Sequence, residues 1–293
     1  MPELPEVETV RRGLAPVVAG RRITAVETRR PDLRFPFPER FAERLVGQKV
    51  VGLDRRAKYL IAGLSGGEDL VMHLGMTGRF TILENGRQDT PGEYTNSVGA
   101  DPVHDHVVLN LSGGARIVYN DPRRFGFMVM MPHAERSEHP LFRGLGVEPL
   151  GPELTAEYLA SRARGKKANL KSFLMDQRVV AGLGNIYVAE ALFRAGLSPN
   201  RAASALADRR GAPTERAEKL VPAIREVLEQ AIDARGSTLR DYRDANGASG
   251  GFQNSFAVYD RAGRICPRAG CGGEIRRVLH AGRASFYCPR CQR

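Results

Sequence analysis

Apolar positions near the start of the chain recur with the spacing of one helix face. Val7, Val10 and Leu14 stand at i, i+3 and i+7, and Pro5 precedes them where a first helical turn tolerates proline. The acidic residues of this stretch lie at its beginning, where the helix dipole favours negative charge. The pattern predicts a short amphipathic helix at the N-terminus.

From residue 23 to about residue 131 the apolar runs become short. Gly, Pro, Asn and Asp interrupt them, and the clearest runs cover 70–74, 107–111 and 116–119. Apolar runs of this length, bounded by turn residues, are typical of strands in a sandwich or barrel. We therefore predict a β domain after the first helix.

A helical period follows a segment that is rich in breaks. Residues 131–151 contain five breaks in quick order, at Pro132, Pro140, Gly144, Gly146 and Pro149, and indicate a linker. Between 154 and 234 the spacing is helical, and its clearest apolar set is Ile224, Val227, Leu228, Ala231 and Ile232. Residues 235–254, rich in Gly, Ser, Asp and Asn, predict a loop before a terminal unit of short strands.

These patterns predict an α+β protein with several parts. The expected division is a β-sandwich domain with its N-terminal helix (1–131), a linker (132–151), a helical domain (152–235), a loop and connector (236–260) and a terminal metal-binding module (261–293).

The charge of the chain indicates a polyanionic partner. Lys and Arg number 44 against 33 Asp and Glu, which gives a formal charge of +11 and a sequence pI near 9.9. DNA, RNA and an anionic membrane all fit this charge. Because no apolar run approaches the roughly 18 residues that span a bilayer, and the N-terminus is acidic, we expect a cytoplasmic protein. With no coiled-coil pattern, we expect a monomer.

All four cysteines lie in the last 28 residues. Cys266, Cys271, Cys288 and Cys291 form the pattern C-x4-C-x16-C-x2-C, whose two pairs can complete a tetrahedral zinc site with bonds of about 2.3 Å to each sulfur. Two disulfides or an iron–sulfur cluster are the alternatives. The paired spacing and the absence of a secretory signal favour one structural Zn²⁺.

The same terminal segment is strongly basic. Residues 261–293 contain eight Arg and one Glu, a net charge of +7 that is most of the excess of the chain. A zinc site would fix where these arginines point, so the segment is expected to contact phosphate. Arg283 lies between the two cysteine pairs, at the tip of a predicted hairpin.

The N-terminus offers an unusual reagent. Pro2 follows the initiator Met, whose removal would expose a secondary amine, and an α-amino group titrates at about 8. Such an amine can attack an electrophilic sugar carbon and carry the product as an iminium. Glu3 and Glu6 lie close enough in sequence to face it, one moving protons and the other holding geometry. Taken alone, this motif equally suits an ordinary helix start.

Four separated motifs together closely resemble bacterial formamidopyrimidine-DNA glycosylase. They are residues 1–8 (MPELPEVE), 121–126 (DPRRFG), 182–187 (GLGNIY) and the terminal cysteine module. The resemblance runs from the first residue to the last. It implies a β-sandwich, a helix–two-turn–helix domain and a zinc finger, and an enzyme that excises 8-oxoguanine and ring-opened purines and then cuts the strand by β- and δ-elimination.

The resemblance also implies roles for individual residues. Pro2 would be the nucleophile at C1′, Glu3 would transfer protons, and Glu6 would support the site. Lys58 would reach the phosphate beside the lesion. Arg283 is grouped with these catalytic residues.

A second set would bind duplex DNA. Met76, Arg123 and Phe125 match the family residues that fill the gap left by the extruded base. Asn185 in the helix–two-turn–helix motif and His73 would contact phosphate. Without the resemblance, Met76 and Phe125 would be interpreted as core residues. His73 would be interpreted as a strand residue whose hydrogen bonds are made within the protein.

One loop matches the segment that closes over the extruded purine. We call it the lesion-capping loop, and its matching residues are Ser237, Thr238, Leu239, Arg240 and Tyr242. The first cysteine pair departs from the usual x2 spacing of the family, which leaves the turn geometry of this knuckle open while the zinc site is still expected.

Two other functions fit part of the pattern. An endonuclease VIII-like enzyme would use the same amine on oxidised pyrimidines. A non-catalytic zinc-dependent DNA-binding protein would explain the charge and the cysteines and give no role to Pro2, Glu3 and Glu6.

Overall fold

The computed structural model describes residues 2–92, 101–237 and 251–293 in two units. The first unit comprises residues 1–143 and 234–251, and the second comprises 144–233 and 252–293. The five-part division predicted from the sequence remains a prediction, whereas the predicted α+β class is confirmed.

Where it is described, the first unit contains two α-helices and nine strands. In chain order they are α1 (Leu4–Val18), β1 (Ile23–Thr28), α2 (Phe41–Leu45), β2 (Val50–Arg56), β3 (Tyr59–Leu64), β4 (Glu68–His73), β5 (Arg79–Glu84), β6 (Arg87–Asp89), β7 (Asp105–Leu111), β8 (Arg116–Asn120) and β9 (Phe127–Pro132).

The strands form two antiparallel sheets. One has the order β1-β7-β8-β5-β6 and the other β2-β3-β4-β9. Alternate side chains of both sheets share one apolar core, as Leu60 and Met72 of the second sheet and Phe80 and Ile117 of the first illustrate. The unit is therefore a β-sandwich, whose two sheets are held together by the apolar side chains buried between them.

The first helix packs on this sandwich as its spacing predicts. Val7, Val10 and Leu14 are at most 2% exposed and belong to the same core. Pro5 lies in the first turn, and the helix begins with a capping box between Glu3 and Glu6. The start of α1, which carries the candidate chemistry, is thus fixed by both packing and capping.

An ion cluster adds a polar attachment for α1. The buried Glu8 carboxylate accepts hydrogen bonds from Arg11 and Arg12 and is paired with Arg55 of β2 at 3.2 Å. Burial would raise the pKa of Glu8, but the hydrogen bonds from the arginines outweigh it and the pKa is lowered. The carboxylate therefore stays charged and ties the helix to the neighbouring strand.

The second unit is mostly helical and ends in a β-hairpin. Its elements are α3 (Ala156–Ala163), α4 (Leu170–Met175), α5 (Asn185–Arg194), α6 (Glu215–Asp233), β10 (Arg276–His280) and β11 (Arg283–Tyr287). Helix α5 is buried except at its two ends, and its buried part is apolar apart from Glu190. The predicted face of α6 is buried as expected.

Among the described residues, no helix combines the length and the apolar composition that crossing a membrane requires.

Candidate functional site

The start of the chain is a buried, hydrogen-bonded corner. Pro2 is buried, and Glu3 and Glu6 are 4% and 2% exposed. The backbone N–H of Glu3 donates to Glu6 Oε2 at 2.8 Å. Both carboxylates therefore lie beside the first residues of α1, where the positive end of the helix dipole stabilises negative charge.

Glu6 also holds a distant segment of the chain. Its Oε1 accepts the backbone N–H of Ser237 at 2.9 Å and the Ser237 hydroxyl at 3.0 Å. Gly236 has φ +85°, and a Cβ there would lie 3.1 Å from Glu6. Ser237 pairs with Gly251. One carboxylate thus joins the N-terminus to the stem from which the lesion-capping loop departs.

Four of the five residues assigned to the lesion-capping loop lie outside the described residues. They are Thr238, Leu239, Arg240 and Tyr242.

Lys58 and His73 lie at adjoining ends of the second sheet. Lys58 is 8% exposed and follows Ala57, whose φ of +52° makes the two-residue turn between β2 and β3. Burial, and then the charges of Lys58 and Arg34, lower the pKa of His73 to about 4. The imidazole is therefore neutral at neutral pH.

The tautomer of His73 is set by its surroundings. Its Nδ1 accepts the backbone N–H of Gly75 at 3.0 Å, and its ring stacks on Phe127 with centroids 5.2 Å apart. With Nδ1 accepting, the proton of the neutral ring sits on Nε2. The residue is a satisfied strand-end histidine that also retains an N–H donor.

The three candidate gap-filling residues lie on two loops. Met76, half-buried, is in the turn between β4 and β5. Arg123 and Phe125 precede β9, with Phe125 43% exposed and the Arg123 guanidinium 4.7 Å from its ring centre. Because the Phe125 ring is this exposed and lies under a cation, it is not part of the core. This differs from the interpretation of Phe125 as a core residue without the resemblance.

Asp121 joins these two loops, and sequence reasoning missed it. Its carboxylate is fully buried and accepts hydrogen bonds from the Thr77 hydroxyl, from the Gly126 N–H at 2.8 Å and from the Tyr119 hydroxyl at 3.3 Å. The Thr77 oxygen in turn accepts the N–H of Arg123 at 3.2 Å. The residue stood inside the motif 121–126, but no local pattern indicated its partners.

Two glycines allow the loops to approach. A Cβ on Gly75 would lie 2.3 Å from the backbone of Gly126 and Phe125, and a Cβ on Gly126 would lie 1.8 Å from the Tyr119 hydroxyl and 2.7 Å from the His73 carbonyl. Any side chain at either position would push the loops apart. The structure therefore brings Met76 and His73 next to the loop of Arg123 and Phe125.

The second unit carries the other candidate DNA-binding residues. Asn185 starts α5 after Gly184, and its side-chain N–H donates to the Tyr259 hydroxyl at 3.5 Å. Its Oδ1 has no hydrogen-bond partner among the described residues. Arg283 is exposed and opens β11 directly after the turn formed by Ala281 and Gly282, whose φ values of +47° and +74° suit a two-residue hairpin.

The four cysteines converge as a metal site requires. Their sulfurs all lie within 4.8 Å of one another, with 3.7 Å between Cys266 and Cys291 and 3.6 Å between Cys271 and Cys288. A tetrahedron with bonds of about 2.3 Å separates its sulfurs by about 3.8 Å, whereas a disulfide needs about 2.05 Å. The site fits one structural Zn²⁺, as predicted, in spite of the longer first knuckle.

The electrostatics of the cluster call for a cation. Burial raises the pKa of Cys266 and of Cys291, while the backbone N–H of Gly273 lowers that of Cys271 to about 7. Four crowded thiols cannot all ionise without a compensating charge. A divalent ion supplies it and holds the two knuckles together.

Comparisons with known proteins define the class. Family models match in order along the chain: the formamidopyrimidine-DNA glycosylase N-terminal domain at 1–128, its helix–two-turn–helix domain at 145–243, and a zinc finger found in these glycosylases and in isoleucyl-tRNA synthetase at 265–293. The fold and these matches define a zinc-bearing DNA glycosylase architecture.

Relatives that match over their full length identify one family within this class. Formamidopyrimidine-DNA glycosylases of Methylocella silvestris and of a Bradyrhizobium strain are each 58% identical over 100% of both chains. The chain belongs to the formamidopyrimidine-DNA glycosylase family.

Solved structures of similar proteins support this family membership. The Thermus thermophilus protein is similar with a TM-score of 0.79 and 39% identity over 99% of this chain and 98% of that one. The Lactococcus lactis protein in complex with DNA containing an abasic site has a TM-score of 0.82 and 32% identity over 100% of both chains.

Replacing Asp121 tests the junction of the two loops. In Asp121→Asn an amide N–H faces hydroxyl and amide donors, so we expect a loss of about 1–3 kcal/mol in the free energy of unfolding. Incision of a lesion in duplex DNA should fall more than incision of the same lesion in single-stranded DNA, which has no orphaned base to support. Gel assays on both substrates measure the ratio.

Asp89→Asn, at an exposed position of β6, is the matched control and should leave both rates unchanged. An unaltered ratio of duplex to single-strand incision in Asp121→Asn would contradict a role in arranging the gap-filling residues.

Zinc removal tests the independence of the terminal module. A chelator should weaken binding to lesion DNA by about tenfold or more, because a segment of net charge +7 loses its fixed geometry. The sandwich should stay folded, since its core contains none of the cysteines. Fluorescence anisotropy and circular dichroism measure the two effects, with zinc-saturated chelator as the control. Global unfolding on chelation would contradict this.

Proposed function

We propose that the amine of Pro2 is the nucleophile of a bifunctional DNA glycosylase that removes oxidised purines from duplex DNA. The chain is a DNA glycosylase and AP lyase of base excision repair, as its family and its full-length relatives establish. The observation that carries the residue assignment is the buried corner of Pro2, Glu3 and Glu6 at the start of α1.

The proposed reaction begins with attack on the sugar. The nitrogen lone pair of Pro2, freed by removal of Met1, forms a bond to C1′, and the bond from C1′ to the base breaks. The departing base and the opening sugar ring need protons, which Glu3 can deliver and recover from its place one residue away. A secondary amine then holds C1′ as an iminium. The iminium acidifies the neighbouring sugar protons, so the 3′ and then the 5′ phosphate can be eliminated.

Glu6 would connect the proposed nucleophile to the stem of the lesion-capping loop. It accepts hydrogen bonds from the backbone of Glu3 and of Ser237 at the same time. A change in the position of Ser237 would therefore reach the backbone of Glu3, next to the amine. This supports a role in geometry and leaves the proton transfer to Glu3.

The remaining residues of the first unit would hold the distorted duplex. Lys58 and the Nε2–H of His73 would donate to phosphate, the lysine as a charge and the histidine as a neutral donor. Met76 and Phe125 offer apolar surface to the gap, and Arg123 can hydrogen-bond the orphaned base. Extrusion costs a few kcal/mol, which these contacts would offset.

In the second unit, Asn185 and Arg283 would bind phosphate. Among these relatives, Lactococcus lactis proteins are recorded in complexes with DNA containing an abasic site or a ring-opened guanine. The basic zinc module supplies the charge for the same kind of partner. We further propose that the protein acts as a monomer in the cytoplasm, associated with the nucleoid through its substrate.

Covalent trapping tests the nucleophile. Borohydride reduction on a duplex with one 8-oxoguanine opposite cytosine should yield a protein–DNA adduct that peptide mapping locates at Pro2. Pro2→Gly should lose most of the incision while its affinity for lesion DNA stays within about threefold, because the residue makes a bond to C1′ rather than a binding contact.

The state of the N-terminus is the control, and mass spectrometry should show that Met1 has been removed. Absence of both adduct and strand cleavage in such protein would favour the non-catalytic DNA-binding alternative.

The ranking of lesions tests the substrate class. We expect faster cleavage of a duplex with 8-oxoguanine opposite cytosine than of one with thymine glycol, because the gap-filling residues and the lesion-capping loop match the purine enzyme. Single-turnover rates on the two duplexes measure this. The reverse order would favour the endonuclease VIII-like alternative.

A further inference from the structure

The long first knuckle of the zinc module contacts the end of α5. Arg268 lies in the middle of the four residues between Cys266 and Cys271. Its Nη2 donates to the Phe193 carbonyl at 2.6 Å and lies 3.4 Å from that of Arg194, and its guanidinium is 5.0 Å from the centre of the Phe193 ring. Arg268 therefore satisfies carbonyls that the last turn of a helix leaves unpaired, and adds a cation where the dipole favours one.

The second knuckle is attached to the turn after the same helix. Gln292 donates to the Leu197 carbonyl at 2.8 Å and accepts the Cys288 N–H at 2.8 Å. The Arg293 N–H donates to the Gly196 carbonyl at 3.0 Å. Both zinc knuckles are thus seated on the C-terminal end of α5.

An apolar contact and a carboxylate continue this seating along the helix. Phe193 and Ala189 of α5 share a buried cluster with three of the cysteines and with Phe286 of β11. Glu190, 4% exposed, accepts three backbone N–H groups at 2.8–3.0 Å from residues 257–259. The connector to the zinc module is therefore fixed to the middle of α5.

At the other end of α5 the connector meets the phosphate-binding candidates. The Tyr259 ring packs edge-on against Phe286, with centroids 5.2 Å apart, and its hydroxyl accepts from Asn185. Arg283 opens the strand that carries Phe286. A helix of ten residues is about 15 Å long. Helix α5 therefore separates Asn185 at its first residue from the zinc knuckles at its C-terminal end by about this distance.

We propose that Arg268 is a positioning residue that seats the zinc module on α5 and thereby keeps Arg283 in register with Asn185. The inference rests on the phosphate contacts proposed for Arg283 and Asn185. The side chain is suited to the task, because its Nη2 lies at the two carbonyls while its planar guanidinium lies over the Phe193 ring.

The first test compares two arginines of the same module. Arg268→Ala removes the contacts of this side chain with the end of α5. Arg264→Ala removes the same charge from an exposed position four residues away. Both variants should keep one zinc per chain. We expect the Kd for duplex DNA carrying a lesion to rise about tenfold or more in Arg268→Ala, because charge-assisted hydrogen bonds are lost. Arg264→Ala should stay within about threefold.

Turnover at saturating DNA should be retained in Arg268→Ala, since the reacting groups lie in the other unit. Equal effects of Arg268→Ala and Arg264→Ala would overturn the inference. Loss of zinc from Arg268→Ala would also overturn it, because the residue would then support the metal site itself.

The second test asks whether Arg268 acts through Arg283. In a double-mutant cycle the two alanine substitutions should be non-additive, with the double variant binding about as weakly as Arg283→Ala alone. Additive losses would mean that Arg268 contacts DNA independently. If Arg283→Ala leaves binding unchanged, the role proposed for Arg283 falls and the inference with it. If only Arg268→Ala is without effect, the inference alone falls.

Discussion

Buried carboxylates that accept hydrogen bonds from backbone amides hold the functional segments of both units. Glu6 joins the N-terminus to the stem of the lesion-capping loop, Asp121 joins the two gap-filling loops, and Glu190 joins α5 to the connector of the zinc module. A buried charge without partners is very costly, and so is a buried N–H without an acceptor. Each cost is removed only when both groups meet, so these contacts specify one arrangement of distant segments.

The chemistry of the first unit depends on the same exclusion of water. Pro2, Glu3 and Glu6 are buried beside the start of α1, and His73 is kept neutral by burial and by the nearby Lys58. Buried, hydrogen-bonded groups keep fixed directions, which the proposed proton transfer to a departing base requires. Phe125 and Arg123, which are proposed to contact the DNA bases, are exposed instead.

The sequence predicts those parts of the structure that local spacing encodes. The apolar face of α1, the runs that became β4, β7 and β8, and the convergence of the four cysteines all follow from short patterns. Asp121, Glu190 and Arg268 could not be found in this way, because their partners lie 44, 67 and 75 residues away. Even inside the motif 121–126, nothing local distinguishes an acid that caps a turn from one that joins two loops.

The basic terminal module and the carboxylates beside Pro2 differ in the range over which their charges act. The terminal module carries its +7 charge mostly on exposed arginines, so its attraction for phosphate acts over about 10 Å and weakens as salt releases counterions. The carboxylates beside Pro2 are buried and act over hydrogen-bond distances, where salt has little access. A repair enzyme must search undamaged DNA loosely and react only at a lesion. Long-range charge in the terminal module and short-range, desolvated contacts beside Pro2 would meet these two requirements.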